Sequence, residues 1–173
     1  ISLVLALVIV LLFNPLRDAN PFFHVMEFVW MMSGSAQVDW IAQFNKRMIE
    51  YSNRGIVHGA YGFRWRGHFH VDQVRNVVNL LKAEYSSRRA VIAMWDPAYD
   101  WVPGHNDYPC NTHVYFRTTD EQLDMLVCNR SNDAVWGMTG ANLVHMTMLH
   151  ELVALESRIP IGVYRVISNN LHI

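Results

Sequence analysis

Very little in this chain is cysteine or charge. Two cysteines, Cys110 and Cys128, cannot build a disulfide framework, which points to a reducing, intracellular, cytoplasmic setting. Charged residues make up 17% of the 173 positions and nearly cancel, 14 basic against 15 acidic. With no basic excess there is no global electrostatic case for DNA or for an anionic membrane surface, and any phosphate must be held by a few placed arginines. There is also no apolar run long enough for a membrane span. The one candidate, Ile1 to Phe13, is stopped by Asn14-Pro15 well short of the roughly 20 residues needed. It lacks the basic flank and small-residue cleavage site of a signal peptide. Its branched residues Val4, Val8, Ile9 and Val10 predict a buried strand or strand pair. Repeats, low-complexity stretches and linkers are missing too, so one domain over 1–173 is expected, with 51% apolar residues to fill its core.

What is present alternates helix and strand signals. Asn20-Pro21 opens a helix through Phe22, Val25, Met26, Val29 and Trp30 that Gly34 ends. A second helix is expected from Asp39 to before Gly55, and a third from Asp72 to about Tyr85 with Val74, Val77, Val78 and Leu81 inward. Ala90–Trp95, Thr112–Phe116, Leu123–Cys128 and Val163–Ile167 read as strands. A long helix from about Ala141 to Leu155 carries Leu143, Val144, Met148, Leu152 and Leu155 as its predicted core stripe. The fold class is α+β, a mostly antiparallel sheet covered by helices.

Four short motifs carry chemistry: Ser87-Arg88-Arg89, Tyr108-Pro109-Cys110-Asn111, Asn129 to Asp133 followed by Gly137, and Ser168 to His172. Singly each has a plain reading as solvated surface, inert thiol, turn or terminal histidine. With "NPFFHVMEFVWMMSG", "GAYGFRWR" and "DQVRNVVNLLKAEYSSRRAVIAMWDP" in the same order and near-identical spacing, they resemble the thymidylate synthases and related pyrimidine hydroxymethylases from about Asn14 to the end. The resemblance implies a thymidylate synthase-like fold whose sheet face forms a homodimer interface, and two composite active sites.

It further implies a pyrimidine nucleoside monophosphate substrate and 5,10-methylenetetrahydrofolate as one-carbon donor. Cys110 matches the nucleophile that adds to C6 of the base, with Arg130 expected to lower its pKa. Glu27 matches the acid/base residue, working through water with Tyr61. Arg130 and Ser131 match phosphate ligands, and Arg88 and Arg89 the pair that reaches into the partner's site. Asp133 and the motif glycine Gly137 match the folate side, and His172 the sugar contact. Cys128 receives no role. In the family a further phosphate arginine lies ahead of the region that Asn14 to Ile173 match, and a folate-closing segment lies after it, so neither is expected in this chain.

Three departures bear on the product. The stretch "NKRMIEYSNRGIVHGAYG" has no tryptophan, where the methyl-forming enzymes wall off water with indole; a wetter pocket favours addition of water over hydride. Asn111 stands where the synthases usually carry His. The base-reading position falls on Ala141 by strict count from Gly137, or on Asn142 after a one-residue bulge. The pocket-polarity argument favours a 5-hydroxymethyl product over reductive methylation of dUMP. A non-catalytic nucleotide-binding family member is the rival of another class. A zinc enzyme is a weaker one: His150-Glu151 lacks a second histidine at Ala154, and His68 and His70 lack a completing ligand, so no metal is expected.

Overall fold

The computed structural model describes residues 20–173; the strand expected over Ile1–Phe13 lies outside them. The first helix, α1 (Pro21–Met32), starts as its sequence dictates. Asn20 Oδ1 accepts the Phe23 N–H at 3.0 Å and proline occupies the first turn, where its missing N–H costs nothing. Phe23, Phe28, Trp30 and Met31 turn inward, whereas Phe22, Val25 and Val29 stay exposed in this chain.

The single helix expected from Asp39 to Gly55 does not form. In its place are a short helix α2 (Val38–Ile41), a 3₁₀ turn over Lys46–Tyr51, and a hairpin of β1 (Ser52–Asn53) and β2 (Ile56–Val57). Asn45 starts the 3₁₀ turn by accepting the Arg47 N–H at 3.1 Å. Arg54 and Gly55, at φ 52° and 81°, form a two-residue hairpin turn. Local side-chain capping and turn chemistry thus outcompete helix periodicity here.

Helix α3 (Tyr61–Arg66) and helix α4 (Gln73–Ala83) follow. Asp72 caps α4, and Val74, Val77, Val78 and Leu81 are buried as their spacing predicts. The main sheet has the order β3-β4-β5-β7, with β3 (Val91–Ala93), β4 (Asn111–Thr119), β5 (Gln122–Asn129) and β7 (Ile161–Ser168). The first two pairings are antiparallel and the last is parallel. Period-two alternation sends Val114, Val127 and Val166 to one face and Tyr115, Leu126 and Arg165 to the other. β6 (Asn132–Asp133) and β8 (Leu171–His172) form a small parallel pair beside it.

Helix α5 (Ala141–Ser157) crosses back from β5 to β7 and packs against α1, α4 and the sheet. Its predicted stripe is corrected: Leu143, Met148 and Leu152 are only half-buried and Leu155 is 76% exposed. The inward face instead carries Val144, Met146, Leu149 and Val153 together with polar His145, Thr147 and His150. His150 Nε2 lies 2.6 Å from the Leu123 carbonyl, and Thr147 Oγ1 donates to the Leu143 carbonyl at 2.8 Å. Internal hydrogen bonding lets polar residues occupy a core face that an apolar count assigns elsewhere. Among the described residues no helix is long and apolar enough to cross a membrane.

Candidate active site

Two close backbone approaches set the site. A Cβ on Gly62 would lie 2.0 Å from the Met31 carbonyl oxygen, so α3 can pack directly on α1 only with glycine there. That contact places Tyr61, at the start of α3, beside the face of α1 formed by Glu27, Trp30 and Met31, spaced i, i+3, i+4. The space between them is a cleft of about 270 Å³. The Asp107–Cys110 segment closes one side, and α5 contributes Ala141, Asn142 and His145. Met48, Tyr51 and Trp136 complete the wall.

Cys110, half-buried, sits at the entry to β4. Tyr61 Oη accepts the backbone N–H groups of Cys110 at 3.1 Å and Asn111 at 3.2 Å, fixing the chain at the thiol. Arg130 brackets the same segment: its Nε donates to the Pro109 carbonyl at 3.0 Å and its backbone N–H to the Cys110 carbonyl at 2.9 Å. The guanidinium carbon stands 5.6 Å from the centroid of Trp95.

The expected activation of the thiol is only half realised. Burial, the largest influence, pushes the Cys110 pKa up; Arg130 pulls it down, and Asp107 pushes it up again, leaving it above the ordinary thiol value. Asp107 accepts the Gly59 N–H at 3.1 Å, yet burial holds its own carboxyl above the usual range.

Glu27 and His145 meet across the cleft from α1 and α5, with Glu27 Oε2 3.2 Å from His145 Nε2. Their side chains are 13% and 1% exposed. The approach has ion-pair length without hydrogen-bond alignment, and neither ring nitrogen of His145 has a hydrogen-bond partner among the described residues. His24 lies near, its ring centroid 5.9 Å from that of His145. The ligand atoms of His24, Glu27 and His145 fall within 4.8 Å of one another, the one such group among the described residues.

Ser131 Oγ lies 3.0 Å from His172 Nε2, and pairing of β6 with β8 holds the two segments together. Asp133 does not line the cleft. Its Oδ1 accepts the Trp136 and Val135 N–H groups at 2.5 and 2.8 Å, which caps the π-helical turn Ala134–Met138 and, chiefly through Trp136, lowers its pKa. Gly137 in that turn has no room for a side chain, because a Cβ would meet Asn132 Oδ1 at 2.2 Å. Ala141 and Asn142 both face the cleft, and only Asn142 brings hydrogen-bonding groups. Asn111 is fully buried and outside the cleft lining. Arg88 and Arg89 are exposed and away from the cleft, Arg89 pairing with Glu84 at 2.5 Å.

Sequence reasoning assigned no site role to Asp107, His145 or Trp136, and read Trp30 only as part of the first helix. Trp30 follows Glu27 by three and His145 follows Ala141 by four, one turn along the same faces, which was the available signal. Asp107 is three residues before Cys110 in an irregular segment, where no periodicity points to it.

An α+β frame with a bracketed thiol, a carboxylate–imidazole pair and aromatic walls defines a cysteine-centred cleft. The thymidylate synthase family model matches residues 17–173, and the chain belongs to that family. Deoxyuridylate hydroxymethyltransferase of Pseudomonas phage M6 is 48% identical over 158 residues, 90% of this chain and 45% of that protein. The protein of the same name from Bacillus phage SP01 is 34% identical over 169 residues, covering 91% and 44%. The chain therefore spans less than half the length of these curated relatives. A thymidylate synthase crystal structure from T4 phage superposes with TM-score 0.73 at 23% identity, over 87% of this chain and 58% of that one, and shares the fold.

Proposed function

We propose that the protein transfers a one-carbon unit from 5,10-methylenetetrahydrofolate to C5 of a pyrimidine nucleoside monophosphate, giving the 5-hydroxymethyl nucleotide. The observation that carries this reading is Cys110, presented to the cleft by Tyr61 and bracketed by Arg130. The names of the phage relatives favour deoxyuridylate as the substrate.

The Cys110 sulfur, once ionised, adds to C6 and turns C5 into a carbon nucleophile. A thiol held above its ordinary pKa is a poor nucleophile while the cleft is open. A phosphate drawn to Arg130 and Ser131 would order these side chains against the substrate, with Asn142 reading the base and His172 the sugar. Tyr51 and Trp136, 41% and 58% exposed, offer open aromatic faces that fit a flat pterin ring. The methylenetetrahydrofolate supplies the carbon at the formaldehyde oxidation level. Asp133 would serve the folate side by setting the turn that presents Trp136, and Gly137 by letting that turn close on Asn132.

Water as the final nucleophile is supported by the wall formed from the tryptophan-free stretch, which presents Met48 and Tyr51 in place of indole. Trp30 and Trp136 enter the cleft from other elements and favour the second reading, reductive methylation of dUMP. The sheet face bearing Tyr115, Val163 and Ile167, 41%, 49% and 57% exposed, suits a second copy of this chain. In such a dimer Arg88 and Arg89 would serve the opposite site, since they lie away from their own cleft.

Incubation with methylenetetrahydrofolate and each of dUMP, dCMP, UMP and CMP tests the proposal by product mass. A hydroxymethylated nucleotide with release of tetrahydrofolate supports it. A methylated base with dihydrofolate overturns it in favour of the synthase reaction, and binding without turnover in favour of a nucleotide-binding role.

A further inference from the structure

The chemistry assigned to Cys110, Arg130 and Ser131 leaves one built feature unused. His145 is 99% buried at the cleft wall, and an imidazole in such a place is costly unless its nitrogens have work. Its Nε2 faces Glu27 Oε2 at 3.2 Å, yet that oxygen and both ring nitrogens have no hydrogen-bond partner among the described residues. Both side chains line the same cleft as Cys110. A carboxylate oxygen and an imidazole that approach each other, misaligned as a direct pair, buried without partners and carried on side chains that line the cleft, mark a place for an ordered water that satisfies both.

We propose that Glu27 and His145 hold and deprotonate the water that becomes the product's hydroxyl group, with His145 as the positioning residue that orients Glu27 and shares the proton. This rests on the hydroxymethyl transfer proposed above. After the one-carbon unit has joined C5 and the C5 proton has left, the ring carries an exocyclic C5=CH₂ conjugated to C4=O, with sulfur still on C6. The water oxygen bonds to that CH₂, and the displaced electron pair moves onto the C4 oxygen as an enolate. The water proton passes to Glu27 and is shared with His145. Return of the enolate electrons forms C5=C6 and expels the Cys110 thiolate, so the step consumes one water and needs no oxidant or reductant. Glu27 touches the reacting water; His145 acts through Glu27. The arrangement makes water addition a built property of the site rather than leakage into a loose pocket.

The test separates water addition from the steps before it. Wild type, His145→Gln and His145→Leu are compared with nucleotide tritiated at C5, scoring tritium release, hydroxymethyl product, and capture of the methylene by an added small thiol as a 5-thioether. Both variants should release tritium within about twofold of wild type, yet form hydroxymethyl product roughly tenfold or more slowly, with thioether taking its place. Gln keeps a hydrogen-bond donor without a proton-sharing ring, so its slow product formation identifies proton sharing rather than bulk packing. Retained covalent capture of 5-fluoro-dUMP on Cys110 shows that the variants still fold and reach the earlier adduct. Product formation at the wild-type rate in both variants overturns the proposal, as does a parallel fall of tritium release and product. A wild-type protein that makes methyl product overturns the hydroxymethyl reading itself, an outcome visible before any variant is assayed.

Discussion

Replacement of Arg64 by Met should be the most damaging single change outside the cleft. Arg64 is fully buried, and its guanidinium donates to both Asp100 oxygens at 2.9 and 2.7 Å and to the carbonyls of Met94 and His58 at 3.0 Å each. Asp100 also accepts the Asp96 N–H at 2.6 Å and meets His58 Nε2 at 2.8 Å. Burial alone would raise the Asp100 carboxyl, but the Arg64 and Asp96 hydrogen bonds, the guanidinium charge and His58 outweigh it and hold the pKa below the usual carboxylate value. Removing one partner of such a buried pair costs about 3–5 kcal/mol, because the other charge is left uncompensated. At roughly 2–4 °C per kcal/mol for a chain of this size, the melting temperature should fall by about 6–20 °C. Urea unfolding followed by tryptophan fluorescence measures the loss, and a double change, Arg64→Met with Asp100→Leu, should recover much of it.

The pH dependence has a definite sign. The folded carboxyl lies below its unfolded value of about 3.9, so its stabilisation is present above that pH and fades as acid protonates the folded form. In Arg64→Met the buried carboxyl, left with only the Asp96 N–H and His58, should be raised instead, so mild acid should relieve part of the defect. A loss under about 1 kcal/mol, or a double variant no better than the single, would refute this account of the Arg64–Asp100 pair. The functional link is direct, since Tyr61 lies one turn before Arg64 on α3 and holds the backbone at Cys110.

Alkylation of Cys110 against pH should shift in opposite directions in two variants: Asp107→Asn should lower the thiol pKa and speed reaction near neutrality, and Arg130→Met should raise it and slow reaction. Equal profiles would show that neither charge acts on the sulfur. Gly62→Ala forces its Cβ into the Met31 carbonyl, so it should destabilise by about 1–3 kcal/mol or more in thermal unfolding and lower activity by parting Tyr61 from α1. Exhaustive chelation should leave turnover unchanged; a loss restored by zinc would assign His24, Glu27 and His145 to an ion instead.

Strong local signals were legible in the chain. The Asn20-Pro21 start, the Val74 to Leu81 stripe and the strands over Thr112–Phe116 and Leu123–Cys128 each follow from caps, helical spacing or β-rich apolar runs, and the structure keeps them all, the strands within β4 and β5. The second helix failed because Asn45 and the Arg54-Gly55 turn act locally against its periodicity. The α5 stripe failed because His145, Thr147 and His150 are buried through contacts that only tertiary structure supplies. Of the candidate site, Cys110, Glu27, Tyr61, Ala141 and Asn142 converge on one cleft. Arg88 and Arg89 are exposed and outside the lining of that cleft. The direction of the Cys110 shift was not readable from a nearby arginine, since burial and Asp107 oppose it and neither is a property of local sequence.

The most direct measurement is covalent capture with 5-fluoro-dUMP and methylenetetrahydrofolate, followed by denaturation and peptide mass analysis. Fluorine cannot leave C5 as a cation, so the nucleotide should remain bonded to the sulfur of Cys110, and Cys110→Ser should form no such species. An unmodified protein, or a label carried by Cys128 instead, would contradict the account.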